Sequence, residues 1–495
     1  MRVVTGDEMK QIDAYTMNEI GLSGVMLMEN AGQAAARRIM DHYPNETLSV
    51  LIGSGNNGGD GFVIARMLKE NGFDVKVLVI PDEERISGDA RYHKNVYKKC
   101  GHTYEQYDKD SDIEADVIID TMLGTGVKGE IRAPYNEIFS TLNHTSATVV
   151  SVDLPSGVPA ETGTVPKGAL KADRTIIIEL PKLSYYSYPA REYYGRAEVA
   201  GIGIPAQAVE SAVRSDVSVW TFNDTRENWK RRAPDSHKGT HGKAGIIAGS
   251  TDMPGAAVLT SMAAVKSGAG LTAVNTPPEN FPIVAGHTPE ATFYKRHEDL
   301  EDFTSQKDVI AFGPGMGVHE ETEKTLEYLI ENFDGTLVVD ADGLTGFSHL
   351  KGKVKARTSP LIITPHPGEM AKLMDDTVAS VNQNRFEIAQ DVAREYGIYV
   401  VLKGAFTLTA APSGKIWIND TGNPGLAKGG SGDVLTGMIT AFACRYESIG
   451  HAVSSAVFMH GFTAEYVHRQ SAGIDTISAS DIADHLKYTF KIVEG

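Results

Sequence analysis

The chain has little cysteine and no long apolar run. Only Cys100 and Cys444 occur among its 495 residues. They lie far apart and form no CxxC pair, so the sequence offers no thiolate metal site and fits a reducing compartment. No apolar stretch approaches the roughly 18 residues that span a bilayer, which argues against a membrane protein. The first residues show no basic segment followed by an apolar one, so we expect no secretory signal and a cytoplasmic location.

Positive charge is scarce too. The sequence holds 47 Lys and Arg against 64 Asp and Glu, which gives a formal net charge of −17. A general nucleic-acid binder gains affinity by neutralising phosphates with basic side chains, so this composition argues against one. A local basic pocket for one small phosphorylated ligand is still compatible with it. No Walker A sequence is present, which excludes a P-loop enzyme.

Glycine is abundant, with 50 of 495 residues, against a usual level of about 7%. Strand patterns alternate with helix patterns in both halves of the chain, which predicts mostly parallel sheets covered on both faces. A polar, basic stretch from about Trp220 to Gly242 interrupts the alternation. The sequence therefore predicts two tandem three-layer α/β domains, at residues 1–220 and 228–495.

A glycine-rich turn follows the first predicted strand, at residues 48–52, and opens a helix. Its last residues are Asn56, Asn57, Gly58, Gly59 and Asp60. Glycine lets a backbone approach a ligand closely, and a helix N-terminus favours an anion. The alternative is a structural turn with an Asp N-cap. Two Asn and one Asp within five residues favour a binding site.

Two further motifs end neighbouring strands of the first half. Asp120 precedes a glycine-containing loop that reaches Glu130, and Asp153 begins the run Asp-Leu-Pro-Ser-Gly. Ligands of open α/β sheets bind beyond the carboxyl ends of the strands, where all three motifs fall. Asn57, Asp120 and Ser156 supply oxygen ligands suited to an alkali or alkaline-earth cation. Asp153 is a candidate general acid–base residue, and helix capping is the alternative for both aspartates.

The second half carries Gly-Gly-Ser-Gly-Asp, which ends at Asp433 and opens a helix. Successive backbone N–H groups there make an anion hole, and Asp433 is placed to act as base toward a hydroxyl. Transfer of a terminal phosphoryl group needs this pairing. The alternative is a glycine-rich turn with an acidic first helical turn. Other strand-end or helix-start candidates are Ala256, Gly315, Asp340, Asp342, His366 and the segment 403–407.

With these motifs in this order, the chain resembles the bifunctional NAD(P)H-hydrate repair enzymes over nearly its whole length. The first half is similar to the NAD(P)H-hydrate epimerase domain, which implies a Rossmann-like fold. The second half is similar to the ADP-dependent NAD(P)H-hydrate dehydratases, which implies a ribokinase-like fold. The resemblance implies epimerisation of the R and S hydrates of NADH and NADPH and dehydration of the S hydrate. It also implies K⁺ in the first domain, Mg²⁺, ADP or ATP as phosphoryl donor, and a homo-oligomer.

The resemblance also implies roles for individual residues. In the first half, the hydrated nucleotide is expected to contact Asn56, Asn57, Gly58, Gly59, Asp60, Gly124, Thr125, Gly126, Val127, Lys128, Gly129, Glu130 and Asp153. The expected potassium ligands are Asn57, Asp120 and Ser156. In the second half, the hydrate is expected at Ala256, Gly315, His366 and Asp433. The adenine nucleotide is expected at Lys403, Gly404, Ala405, Phe406, Thr407 and Gly432.

Two other functions stay open at this stage. The chain is alternatively a ribokinase-type kinase of a vitamin precursor, fused to a non-catalytic nucleotide-binding domain. Several such kinases carry Asn where this chain has His366, in Thr-Pro-His-Pro-Gly-Glu, which favours the dehydratase. The first half alone is alternatively a silent binding module, which is disfavoured by the presence of Asn57, Asp120, Asp153 and Ser156. Lys428 departs from the small residue expected before the anion hole.

Overall fold

The computed structural model describes residues 1–109, 111–126, 129–161, 163–296 and 300–495. These form two compact units, one of Arg2–Asp216 and one of Val217–Gly495 together with Met1. The division falls a few residues before the predicted boundary at 220–228. Residues 217–219 were assigned to the first domain, but they form a strand of the second sheet.

The first unit is built on a seven-stranded parallel sheet of order β3-β2-β1-β4-β5-β6-β7. The chain runs outward from β1 in one direction and returns to continue from β4 in the other, so a crevice forms where the order reverses. The strands are β1 (Leu48–Ile52), β2 (Val75–Val79), β3 (Glu105–Gln106), β4 (Val117–Thr121), β5 (Thr148–Val152), β6 (Arg174–Ile178) and β7 (Arg196–Ala200).

Helices cover both faces of this sheet. Because side chains alternate along a strand, Val50 and Ile52 of β1 enter one core while Leu51 enters the other. This burial on both faces explains why the strands are almost uniformly apolar. The helices are α1 (Gly6–Tyr15), α2 (Gly24–His42), α3 (Asn56–Glu70), α4 (Gly88–Lys99), α5 (Tyr135–Leu142) and α6 (Ala206–Ala212), with a π-helical turn at Thr16–Ile20.

The second unit contains a ten-stranded sheet of order β11-β10-β9-β12-β13-β14-β15-β16-β17-β8. The pairings are parallel except those of β16 with β15 and with β17. The strands are β8 (Val217–Val219), β9 (Lys243–Ile247), β10 (Leu271–Thr276), β11 (Thr292–Lys295), β12 (Val309–Phe312), β13 (Thr336–Val339), β14 (Leu361–Ile363), β15 (Tyr399–Leu402), β16 (Thr407–Ala410) and β17 (Ile416–Asn419).

One helix of the second unit, α16 (Ser431–Ala443), is buried on nearly every side. A helix that is apolar all round belongs in the core, and α16 packs against two further helices, α8 (Pro254–Lys266) and α17 (Ile449–Gln470). The remaining helices are α7 (Phe222–Glu227), α9 (Phe281–His287), α10 (Leu300–Ser305), α11 (Glu320–Asn332), α12 (Lys351–Ala356), α13 (Pro367–Met374), α14 (Val378–Gln383), α15 (Arg385–Tyr396) and α18 (Ala479–Glu494).

The two cysteines lie in different environments. Cys100 is exposed just after α4, whereas Cys444 is partly buried just after α16. Burial raises the pKa of the Cys444 thiol far above its usual range. Within the described ranges, none of the helices combines the length and apolar character that crossing a bilayer requires.

Candidate active sites

A cavity of ≈ 860 Å³ lies at the crevice of the first unit. The turn after β1, the loop after β4 and the residue after β5 all contribute to its wall, as expected for parallel strands whose carboxyl ends meet at one edge. The predicted residues that line it are Asn56, Asn57, Asp60, Gly124, Thr125, Gly126, Glu130 and Asp153. Val127 and Lys128 fall outside the described residues.

The glycine-rich turn places the start of α3 at the cavity. Its N-cap is Gly55, with no side-chain cap, so Asp60 is not the N-cap that the structural alternative required. Gly58 and Gly59 do not line the cavity but allow close packing. A Cβ on Gly58 would lie 2.1 Å from the Gly53 carbonyl oxygen, and one on Gly59 would lie 2.3 Å from Met28 Sδ. Gly129 has a positive φ of 80° and also lies off the cavity wall.

The three predicted potassium ligands come together beneath the cavity. Ser156 Oγ donates to Asp120 Oδ1 at 2.6 Å and accepts from the Leu123 N–H at 2.8 Å. Asn57 Nδ2 donates to the Leu123 carbonyl at 3.0 Å. Burial raises the pKa of the Asp120 carboxyl, although its hydrogen bonds oppose the shift.

The other amide atom of Asn57 makes this group suitable for a cation. Asn57 Oδ1 is buried and has no hydrogen-bond partner among the described residues. An unpaired buried acceptor is rare in folded proteins because it loses its water without replacement. Next to a buried carboxylate and hydroxyl, such an oxygen is the kind of donor that K⁺ accepts. The residues present therefore fit the expected ion.

Asp153 sits directly after β5 with a backbone φ of 66°, in the left-handed region that few residues adopt. Its carboxylate forms an ion pair with Lys182, whose ammonium is almost fully buried (1% exposed) while the carboxylate is 18% exposed. The Ile178 N–H also donates to Asp153 Oδ1, at 3.3 Å. Asp153 thus stands at the cavity wall, paired with a buried lysine, as a candidate acid–base residue.

Two of the cavity residues that were not predicted from the sequence, Lys182 and Asp13, lie near Asp153. Lys182 follows β6, a strand that the sequence analysis did not identify. Asp13 lies on α1 beside the buried Ile12 and lines the cavity. Its signal was an acidic residue next to the apolar face of an amphipathic helix, which costs free energy unless it has a partner or a function.

In the second unit, the predicted anion hole lies at the start of α16. The N-cap, Gly430, has a φ of 87° and no side-chain cap. The first N–H groups of α16 therefore remain available to an anion. Asp433 is the third residue of the helix, and its pKa is raised to about 7, chiefly by burial and further by the charge of Asp340. Lys403 opposes that shift, and Asp342 adds to it.

A buried ion pair stands beside this helix start. Lys403 Nζ lies 2.9 Å from Asp340 Oδ1, and Thr436 Oγ1 donates to Asp340 Oδ2 at 2.7 Å. Burial alone would raise the pKa of Asp340, but Lys403 outweighs it and the pKa is lowered. A Cβ on Gly432 would lie 3.5 Å from Lys403 Nζ. The structure thus brings Lys403, Gly432 and Asp433 together, as predicted.

The segment 403–407 forms the turn between β15 and β16. Gly404 and Ala405 are exposed in it, Phe406 is partly buried, and Thr407 is buried at the start of β16. Thr407 Oγ1 donates to the Gly404 carbonyl at 3.1 Å, which closes the turn. The exposed part of the turn lies next to Lys403 and is available to a nucleotide.

Ala256 and Gly315 are in contact. Gly315 has a φ of 63°, and a Cβ on it would lie 2.6 Å from Ala256 Cβ. His366 N-caps α13: its Nδ1 accepts from the N–H groups of Gly368 and Glu369, at 3.0 and 3.2 Å. The ring is 56% exposed. Capping thus accounts for the Nδ1 side of the ring, and Nε2 lies 3.5 Å from Oε1 of Glu369, the residue that completes the capping box.

Lys428 does not extend toward the predicted anion hole. Its ammonium donates to the Asp475 carbonyl instead. A residue that sequence reasoning missed, His460 of α17, is buried near Ser431, and its Nε2 has no partner among the described residues. Burial lowers the pKa of His460 to about 4. Its signal was a histidine on an almost wholly apolar stretch of helix.

Known proteins match this chain over its whole length. The family described as NAD(P)H-hydrate dehydratase matches residues 244–487, and the family described as YjeF-related protein N-terminus matches residues 24–184. The bifunctional NAD(P)H-hydrate repair enzyme Nnr of Moorella thermoacetica is 35% identical, covering 100% of this chain and 97% of its own. The protein of the same name from Escherichia coli is 33% identical, with 93% and 88% covered.

Solved structures match the second unit. An ADP/ATP-dependent NAD(P)H-hydrate dehydratase from Bacillus subtilis, co-crystallised with ATP and Mg²⁺, has a TM-score of 0.51 and 34% identity over 56% of this chain and 99% of its own. A ribokinase-like superfamily protein from Enterococcus faecalis has a TM-score of 0.52 and 26% identity over 57% and 99%. These likenesses confirm the predicted ribokinase-like fold. Together with the full-length relatives, they show that the chain belongs to the bifunctional NAD(P)H-hydrate repair enzyme family.

Proposed function

We propose that the chain restores hydrated NADH and NADPH in two reactions. The first unit interconverts the R and S hydrates, and the second dehydrates the S hydrate with ADP. The observation that carries this proposal is the match to bifunctional relatives over the whole chain. It is supported by a cavity with an acidic wall in one unit and an anion hole beside a raised-pKa aspartate in the other.

The second reaction has to overcome a poor leaving group. Water added at C6 of the reduced nicotinamide leaves a hydroxyl there. We assign Asp433 as the base that takes the hydroxyl proton while the oxygen attacks the terminal phosphorus of ADP and the bond to AMP breaks. The N–H groups at Gly432 and the Lys403 ammonium stabilise the phosphoryl charge. The ring nitrogen lone pair then expels phosphate, and loss of a C5 proton restores the double bond.

Relatives of this family use adenine nucleotide and Mg²⁺. Bound with the nucleotide, Mg²⁺ would neutralise phosphate charge. Asp342 is the carboxylate we assign to it, through water, since Asp340 is already bonded by Lys403 and Thr436. The turn at 403–407 is the proposed adenine-nucleotide site. Ala256, Gly315 and His366 are the proposed contacts of the hydrate.

In the first unit, we assign Asp153 as an acid–base residue of the epimerisation. The proposed contacts of the hydrated nucleotide are the predicted cavity-lining residues described above. We place K⁺ at Asn57, Asp120 and Ser156, because Asn57 Oδ1 lacks a protein partner there. When bound, the ion would supply a fixed positive charge beneath the cavity. Assembly into a homo-oligomer and a cytoplasmic location stay predictions.

The kinase alternative is not favoured, because the full-length relatives are repair enzymes. The deciding experiment follows dihydronicotinamide absorbance in the near ultraviolet, starting from a mixture of both hydrates, with and without ADP and Mg²⁺. We expect full recovery that depends on ADP. Recovery that stops at the S fraction would leave a silent first unit. Absence of recovery, with phosphorylation of another alcohol, would establish the kinase instead.

A further inference from the structure

An acidic residue without an assigned role faces the Asp153–Lys182 pair in the first unit. Asp13 projects from α1 and lines the same cavity. It lies close to Lys182, Asp153 and Glu179, whose charges all act on the pKa of Asp13. The charges of Asp153 and Asp13 in turn raise the pKa of Asp60. The cavity wall thus carries carboxyl groups from α1, from α3 and from the end of β5.

These carboxyl groups differ in their surroundings. Asp153 forms an ion pair with the buried Lys182. Burial raises the pKa of Asp60 well above its usual value, and the charges of Asp153 and Asp13 add to the shift. Burial also raises the pKa of Asp13 to about 6, with Lys182 lowering it and Asp153 and Glu179 raising it. A carboxyl group with a pKa of about 6 can both give and take a proton near neutrality, and Asp13 lines the cavity in which it would do so.

Inversion at C6 requires more than one such group if the C6–O bond breaks. The departing hydroxyl needs a proton on one face of the ring, and the water that adds on the other face must lose one. The reverse reaction exchanges these roles between the two faces. A single fixed carboxyl group serves only one face, so Asp153 alone is insufficient. Asp13 comes from a different element and lines the same cavity, so it is the candidate for the second face.

We propose that Asp13 is the second catalytic residue of the epimerase, acting on one face of the ring while Asp153 acts on the other. This inference rests on the proposed epimerase function. Asp13 gives its proton to the C6 hydroxyl, which leaves as water with the C6–O electron pair while the N1 lone pair forms N1=C6. Water adds to C6 from the other face, the π pair returns to N1, and the released proton passes to Asp153. Solvent then resets both carboxyl groups.

The test uses the full chain without ADP, so that only epimerisation is observed, and follows the ratio of hydrates by chromatography. Asp13→Asn should lower kcat about 10²–10³-fold and leave KM within about threefold. The wild-type profile of kcat/KM against pH should bend near 6, because free Asp13 titrates there, and Asp13→Asn should lose this bend. Asp13→Glu restores a carboxyl group and should recover part of kcat.

A control variant and an isotope experiment accompany these variants. Asp41→Asn changes an exposed aspartate of α2 that does not line the cavity, and it should behave as wild type. In H₂¹⁸O, each inversion by the wild type should incorporate one ¹⁸O, because the C6–O bond breaks.

The outcomes separate this inference from the proposed function. A wild-type chain that does not interconvert the hydrates defeats the proposed function itself. An active wild type with an equally active Asp13→Asn, or with the bend near pH 6 retained in that variant, overturns the role of Asp13. Failure of Asp13→Glu to exceed Asp13→Asn indicates a structural role and overturns it too. Inversion without ¹⁸O uptake overturns the two-face route.

Discussion

At the scale of the residue, protonation separates the acidic groups of the two sites. Burial favours the neutral carboxyl of both Asp340 and Asp433, and the neighbouring charges then move the two pKa values in opposite directions. Asp340 keeps a lowered pKa because Lys403 is in contact with it, whereas Asp433 lies near Asp340 and its pKa rises to about 7. Two aspartates in one site thus differ: Asp340 is paired with the Lys403 ammonium, and Asp433 is the proposed proton acceptor.

This difference predicts a pH dependence for dehydration. A base acts only when ionised, so kcat/KM for the S hydrate should fall about tenfold per pH unit below a pKa of about 7 and level off above it. Asp433→Asn should lower kcat by about 10²–10⁴-fold at every pH, because the amide takes no proton. Initial rates of absorbance recovery with ADP and Mg²⁺ measure both effects.

The matched control is Asp391→Asn, which alters an exposed aspartate of α15 in the same unit. It should retain the wild-type rate and profile. An Asp433→Asn variant that still shows the acid limb would assign that limb to another group, and Asp433 would lose its role as base.

Most residues of the two proposed sites could be proposed from the sequence, because each lies within a short motif at a strand end or a helix start. Asn57, Asp153 and Asp433 are examples. Asp13 and Lys182 could not, because their importance comes from neighbours that are distant along the chain. His366 shows the opposite problem: its motif was noticed, but half of its hydrogen bonding serves to cap α13.

At the scale of the element, the start of α16 is the most constrained feature of the second site. Gly430 has a φ of 87°, and a Cβ there would approach Leu259 Cδ1 to 2.5 Å. A side chain would therefore strain the backbone and press on the Leu259 side chain of α8, beside the first residues of α16.

Gly430→Ala tests this dependence. We expect it to destabilise the second unit by about 1–2 kcal/mol and to raise KM for ADP, while epimerisation is unchanged. Urea unfolding and the ADP dependence of absorbance recovery measure the two effects. Gly352→Ala in α12, where the new methyl meets open space, is the control. Equal KM values for the two variants would contradict the assigned anion hole.

The alternation of strands and helices was predictable because strands buried on both faces are continuous apolar runs. The first strand was predicted at residues 48–52, and the structure confirms it as β1 (Leu48–Ile52). The edge strand β3 has only two residues, and the antiparallel β16 and β17 have four each. Such short segments carry little periodicity. Strand β8 was missed for another reason: its partner, β17, lies about 200 residues further along the chain.

At the scale of the whole molecule, the two proposed sites lie within different units of one chain. The products of one site are the substrates of the other, so each chain carries a complete repair sequence. Both epimers can be restored even if the hydrates diffuse freely, because the dehydratase accepts only one epimer and the epimerase replenishes that epimer.

A mixture of two inactivated chains tests whether the hydrates pass through solution. Asp153→Asn alone should recover only the S fraction beyond the spontaneous background, and Asp433→Asn alone should recover almost nothing. Mixed in equal amounts with ADP and Mg²⁺, they should recover both epimers completely, because each unit holds its own site. Dihydronicotinamide absorbance is again the measurement. A mixture that recovers no more than Asp153→Asn alone would mean that the hydrate is handed over within one chain.

The unequal environments of the two cysteines have a practical consequence. Burial raises the pKa of the Cys444 thiol and so lowers the fraction of reactive thiolate, whereas Cys100 is exposed in the first unit. Maleimide reagents react with the thiolate of an accessible cysteine. The natural chain therefore accepts one fluorophore at one known position, next to the end of α4. Local fluctuations of the epimerase unit can then be followed optically while the second unit turns over nucleotide unlabelled.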